Sequence, residues 1–148
     1  MRSIDWTNEV PAAYGREMKI RNPESIHKPN GYSHVAEVER GKLIYIAGQV
    51  AFDKSGQLAG KDDIAAQAEQ VFANIGAALE SAGASFRNVI KMNIFCVDRV
   101  DRAKLPALRS VRDRYVNTQA PPVSTLVFVS SLVNPDWLIE IEAVAVVD

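Results

Sequence analysis

The stretch Trp137 to Val147 constrains the fold more than any other part of the chain. Read as a strand, it puts Ile139, Ile141, Ala143, Ala145 and Val147 on one face and Leu138, Glu140, Glu142, Val144 and Val146 on the other. Both faces carry aliphatic side chains, so both need cover. The chain offers two amphipathic helices to supply it. The first begins after Asp62 or Asp63, whose carboxylate can cap the free N–H groups of a first turn. It then repeats Ile64, Ala68, Val71, Ile75, Leu79 and Ala82 at helical spacing, and Gly83 ends it. The second runs from Ala103 to about Val116, with Leu105, Leu108, Val111 and Tyr115 on one face and Pro106 in its first turn. Two helices cover one face of a sheet. The other face is left as an apolar patch carrying two carboxylates, and such a patch marks an interface. The expectation is a single α+β domain, with both helices on one face of the sheet, that assembles as a homo-oligomer.

The remaining elements fit that plan. Tyr32 to Glu39 alternates and reads as a strand, with Tyr32 and His34 on one face. Leu43 to Ala47 is a continuous apolar run ending in Gly48-Gln49, and Asp53-Lys54-Ser55-Gly56 is a turn. Val89 to Val97 and Ser124 to Leu132 are further strands. Residues 1–30 are rich in Pro, Gly and Asn and read as a leader, with a short strand near Glu17 to Arg21; the domain proper spans 31–148.

The chain has 148 residues, with 17 Lys plus Arg against 18 Asp plus Glu, a net charge of -1. No basic excess exists to neutralise a phosphate backbone, so a nucleic-acid partner is not expected. A single cysteine, Cys96, excludes an intrachain disulfide and a multi-cysteine metal site; its apolar neighbours make it a small buried hydrophobe. The N-terminus lacks a signal peptide's apolar core, and no window is long enough to span a membrane. A cytoplasmic setting follows. No phosphate loop, nucleophile elbow or paired-histidine motif is present, so neither metal nor cofactor is expected.

Several ordered segments are similar to one family. Gly31-Tyr32-Ser33-His34 and Ala47-Gly48-Gln49 resemble the opening of the YjgF/RidA imine-deaminase family. Ala66-Gln67 through Asn74-Ile75, then Leu79 and Ala82-Gly83, resembles its first helix. Val89-Ile90-Lys91 with Val97-Asp98 resembles its third strand, and Ile139 to Ala145 resembles its terminal signature. The resemblance implies a chorismate-mutase-like fold with a mixed sheet, and a homotrimer with a small-molecule ligand in clefts between subunits. It also implies hydrolysis of small reactive imines or enamines to keto acids and ammonia.

The resemblance assigns Glu140 to holding the hydrolytic water and Tyr32 to lining the cleft, with Gly48 where the backbone approaches the ligand. Active members carry Arg in a Pro-x-Arg-Ser sequence. Here Pro121-Pro122-Val123-Ser124 puts Val123 at that position, followed by Thr125, and Ala47 replaces a usual serine. A guanidinium grips a carboxylate through two charge-assisted hydrogen bonds, and valine has no donor. A standard amino-acid-derived imine is therefore not the expected substrate unless Arg109, Arg112 or Lys91 supplies the charge. Val123 and Thr125 are expected to line a cleft for neutral or apolar ligands. Each candidate also has a plainer role: Glu140 as an interface carboxylate, Glu142 as a structural or rim group, Tyr32 as a packed ring. His34 is either a proton donor or a half-buried strand histidine, and His27 a solvated side chain. The alternative function is a non-catalytic trimer of the same fold that binds a small ligand or a protein.

Overall fold

A computed structural model describes residues 18–148. Residues 1–17, including the expected leader's first half, lie outside the described residues. The strands are β1 (Met18–Arg21), β2 (Val35–Val38), β3 (Lys42–Gln49), β4 (Val89–Val97), β5 (Val123–Val129) and β6 (Ile139–Val147). The helices are α1 (Ile64–Ser81) and α2 (Leu105–Arg112). β1 and β2 form a two-stranded antiparallel ribbon, with Met18 opposite Val38. The main sheet has the order β3-β6-β4-β5. β4 and β5 run parallel, and the other pairs are antiparallel, so the sheet is mixed.

Asp63, not Asp62, caps α1: its side chain accepts from the backbone N–H groups of Ala65 and Ala66. Asp62 instead takes a positive φ of 60°. The apolar stripe of α1 is buried as its spacing predicts, with Ala68, Val71, Phe72, Ile75 and Leu79 fully enclosed. These residues pack on the inward face of the sheet, where Ile46, Met92, Ile94, Cys96, Ile139, Ile141, Ala143 and Ala145 are buried.

The second helix is shorter than its pattern suggests. It ends at Arg112, and the chain continues in tighter turns, Arg114 N–H to Val111 O and Tyr115 N–H to Arg112 O. Tyr115 still belongs to the core, stacking on Phe72 at 5.0 Å between centroids and donating its hydroxyl to Glu69. The apolar spacing therefore reports packing correctly while overstating helix length. Strand ends differ in the same way. Tyr32 and His34 precede β2, and β5 and β6 begin or end inside their expected limits. Among the described residues, no helix is long and apolar enough to cross a membrane.

Gln67 is the one fully buried amide of α1. Its Nε2 donates to Asp136 O at 2.9 Å, and its Oε1 accepts from Leu138 N–H at 2.8 Å. The two bonds fix the chain where it enters β6. Gln67→Ala leaves two backbone groups unsatisfied and should lower stability by roughly 2–4 kcal/mol, read from the urea midpoint.

Burial pushes the Cys96 thiol up from 9.0 to about 11. Below pH 9 the thiol is protonated in both states, so it adds no pH dependence there. Between pH 9 and about 11 the unfolded thiol ionises and the folded one does not, so stability falls across that window. Wild type should lose stability relative to Cys96→Val over that range, measured by denaturant unfolding at stepped pH.

Candidate functional site

The face of the sheet away from the helices is open over its middle. Neighbouring strands set its rows. Tyr45, Val144, Lys91 and Val123 stand side by side, then Glu142, Asn93 and Thr125, then Glu140, Phe95 and Val127. Tyr45 is 75% exposed, Leu43 47% and Val127 39%, so this is the uncovered apolar surface the terminal strand requires. Leu138 and Val146, at the ends of the β6 row, are buried.

The two carboxylates on this face differ. Glu142 accepts a 2.7 Å hydrogen bond from Asn93 Nδ2, which accounts for it structurally. Glu140 is half-buried and has no hydrogen bond or ion pair among the described residues. Its surroundings are shaped by Gly48. The β3–β6 register shifts between Ile46 and Gln49, and this irregularity brings the Gly48 backbone against Glu140. A Cβ on Gly48 would lie 2.1 Å from Glu140 Oε1 and 2.9 Å from its Cδ. Glycine therefore suits this position for space rather than for an unusual φ, since any side chain would push the Glu140 carboxylate aside.

Helix α1 holds both sides of this contact. Gln67 fixes the entry to β6, as described above. Asn74 Nδ2 donates to Val50 O and Phe52 O and so fixes the exit from β3. Phe52 and Trp137, one from each segment, meet edge to face at 5.4 Å.

A second cluster lies at the other edge of the sheet. Ser33 bridges to Val123, and its N–H donates to Pro122 O. Tyr32 is thereby placed beside the start of β5. Of the residues expected to act together, Tyr32, Val123 and Thr125 gather here, while Glu140 lies two strands away and Gly48 three. A single chain thus holds these residues in two separate groups.

Arg112 is not solvated: its side chain is 12% exposed, bonded to Asp113 and packed against Gly31. Arg114 lies beyond α2 and pairs with Glu69. Arg109 is exposed on α2. Lys91 is exposed on the open face, directly beside Val123. His27 is exposed yet bonded: its Nε2 lies 2.8 Å from the Tyr32 hydroxyl, an arrangement the irregular sequence around it does not signal.

Gly48→Ala should displace the Glu140 side chain and cost about 1–3 kcal/mol. In a double-mutant cycle, Glu140→Ala should relieve part of that cost, giving a coupling of about 1 kcal/mol or more by thermal unfolding.

The comparisons with known proteins agree with this architecture. The family model described as Endoribonuclease L-PSP matches residues 22–147. A RutC family protein of Pyrococcus horikoshii is 40% identical over 124 residues, covering 82% of this chain and 92% of that one. The 2-iminobutanoate/2-iminopropanoate deaminase of Bos taurus is 33% identical over 147 residues, covering 99% and 90%. Among solved structures, the Rid-family protein YyfB of Yersinia pestis superposes with a TM-score of 0.79 at 34% identity, covering 88% of this chain and 99% of that one. The matched span, the fold and the relatives together show that the chain belongs to the YjgF/RidA family.

Proposed function

We propose that the protein hydrolyses small reactive imines or enamines in clefts formed between copies of itself, as a homotrimer. The observation that carries this reading is Glu140. Glu140 is half-buried with no partner among the described residues, so its carboxylate oxygens are open to a water or a ligand. Gly48 gives up its side chain to accommodate that carboxylate. A free carboxylate in such a place can hold a water and take its proton as the oxygen attacks the imine carbon. Backbone groups near Gly48 and Thr125 would polarise the substrate.

The need for a second copy follows from the two separate groups, read as half-sites. Tyr32, Val123 and Thr125 of one chain would face Gly48 and Glu140 of the next across the open apolar face. The buried Ser33 Oγ, which has no hydrogen-bond partner among the described residues, supports an assembly that completes this edge.

The ligand is proposed to differ from a standard amino-acid-derived imine. The bovine relative's name specifies two substrates that carry a carboxylate. Val123 offers such a group no donor. Lys91 stands beside Val123, but an ammonium is a point charge and does not replace the two-pronged grip of a guanidinium. A neutral imine or enamine fits better. The loss of the arginine also favours a second reading, a non-catalytic trimer that binds a small hydrophobic ligand or a protein in the same cleft. A role on RNA finds less support, because the net charge is -1 and the open face carries carboxylates.

The test is hydrolysis of a freshly generated neutral imine beside 2-iminopropanoate, using the protein at its natural oligomeric mass. The neutral imine should turn over faster. Glu140→Gln should lower kcat by about 100-fold or more. Undiminished hydrolysis by Glu140→Gln would remove the assigned role of Glu140, and silence on every imine would favour the binding module.

A further inference from the structure

Both histidines of the chain converge on Tyr32. His27 Nε2 lies 2.8 Å from the Tyr32 hydroxyl. His34 Nε2 lies 2.8 Å from the backbone oxygen of His27, and because that oxygen only accepts, His34 Nε2 carries a hydrogen. The His34 ring meets His27 edge to face at 4.9 Å and Tyr32 at 5.4 Å. The His34 backbone N–H donates to Asn22 Oδ1 at 2.8 Å, which ties the cluster to the end of β1. The tyrosine hydroxyl is thus held by an imidazole that is itself positioned through a second imidazole. His27 is exposed while Tyr32 and His34 are half-buried, so the cluster runs from solvent to the edge beside Val123.

We propose that the Tyr32 hydroxyl donates the proton to the imine nitrogen and that His27 is its positioning residue, holding the hydroxyl and returning its proton from solvent. This rests on the hydrolytic reading above and adds the acid that reading lacks. Attack on an imine moves an electron pair onto nitrogen, which then needs a proton at once. The water oxygen bonds to the imine carbon and its proton passes to Glu140. The C=N π pair moves to nitrogen, which takes the Tyr32 proton while the tyrosine oxygen takes one from His27 Nε2. The carbinolamine then collapses. Nitrogen takes the proton held by Glu140 and leaves as ammonia, the hydroxyl proton is released to solvent, and His27 recovers one from solvent. The sum is imine plus water giving carbonyl plus ammonia. Imidazole is the side chain suited to such an exchange in neutral water.

The experiment measures steady-state hydrolysis of the neutral imine by the full-length protein and by Tyr32→Phe, His27→Ala, His27→Gln and Glu140→Gln. Tyr32→Phe and His27→Ala should each lower kcat by about 100-fold, with KM within about threefold, and the double variant should be no slower than either. Added imidazole should restore His27→Ala and leave Tyr32→Phe unchanged. His27→Gln can hold the hydroxyl but has no proton it can transfer in neutral water, so it should stay as slow as His27→Ala. Thermal unfolding of each variant checks that it is folded. A wild-type kcat in folded His27→Ala, a fully active His27→Gln, or no effect of imidazole on His27→Ala overturns the relay. If Glu140→Gln is impaired in that case, the hydrolytic reading survives alone. If wild type is no faster than the imine in buffer, both fall.

Discussion

The Gln67 carboxamide joins the helix layer to the sheet at the point where the site is built. It is fully buried, and each end is spent on a backbone group that would otherwise be desolvated without a partner. An apolar residue could fill the same volume but could not fix the register of the chain entering β6. Asn74, two turns further along the same helix, does the matching task for the segment leaving β3. The β3–β6 pairing brings Gly48 against Glu140, and the two amides anchor the chain segments flanking that contact to one helix. Hydrophobic burial of α1 makes the layer stable, and the two amides give it a defined alignment.

β6 shows how one strand serves two environments. Its inward residues are small or aliphatic and disappear under α1. Its outward residues place two carboxylates among aliphatics, and the protein treats them differently. Glu142 is satisfied within the chain by Asn93, while Glu140 is left open. The same strand thus contributes core, frame and an unpartnered carboxylate, because successive side chains point to opposite faces.

The periodic segments were legible from sequence because their signal is the one that packing reads. The α1 stripe, the limits of β4 and the two-sided β6 all followed from apolar spacing. The end of α2 did not, since Tyr115 keeps helical spacing while the backbone has already tightened into turns. Glu140 and Gly48 were recognisable individually, but their contact depends on a register irregularity that no local pattern encodes. The His27 cluster was hidden for a related reason. Its bonds close a loop between Asn22 and His34 that has no periodicity, and proline and asparagine around His27 signal only irregular backbone. The separation of the expected residues into two groups was equally invisible, because it depends on strand order.

The space shared by Gly48 and Glu140 also bears on how this protein can change over evolutionary time. Position 48 has no room for a side chain while a glutamate occupies position 140. Position 140 carries no such restriction, since a smaller residue there would only open space. Substitutions at the two positions therefore have a preferred order: 48 grows at less cost once 140 has shortened. A lineage that keeps the carboxylate in this position favours glycine at 48, and one that replaces the glycine first must move its carboxylate aside.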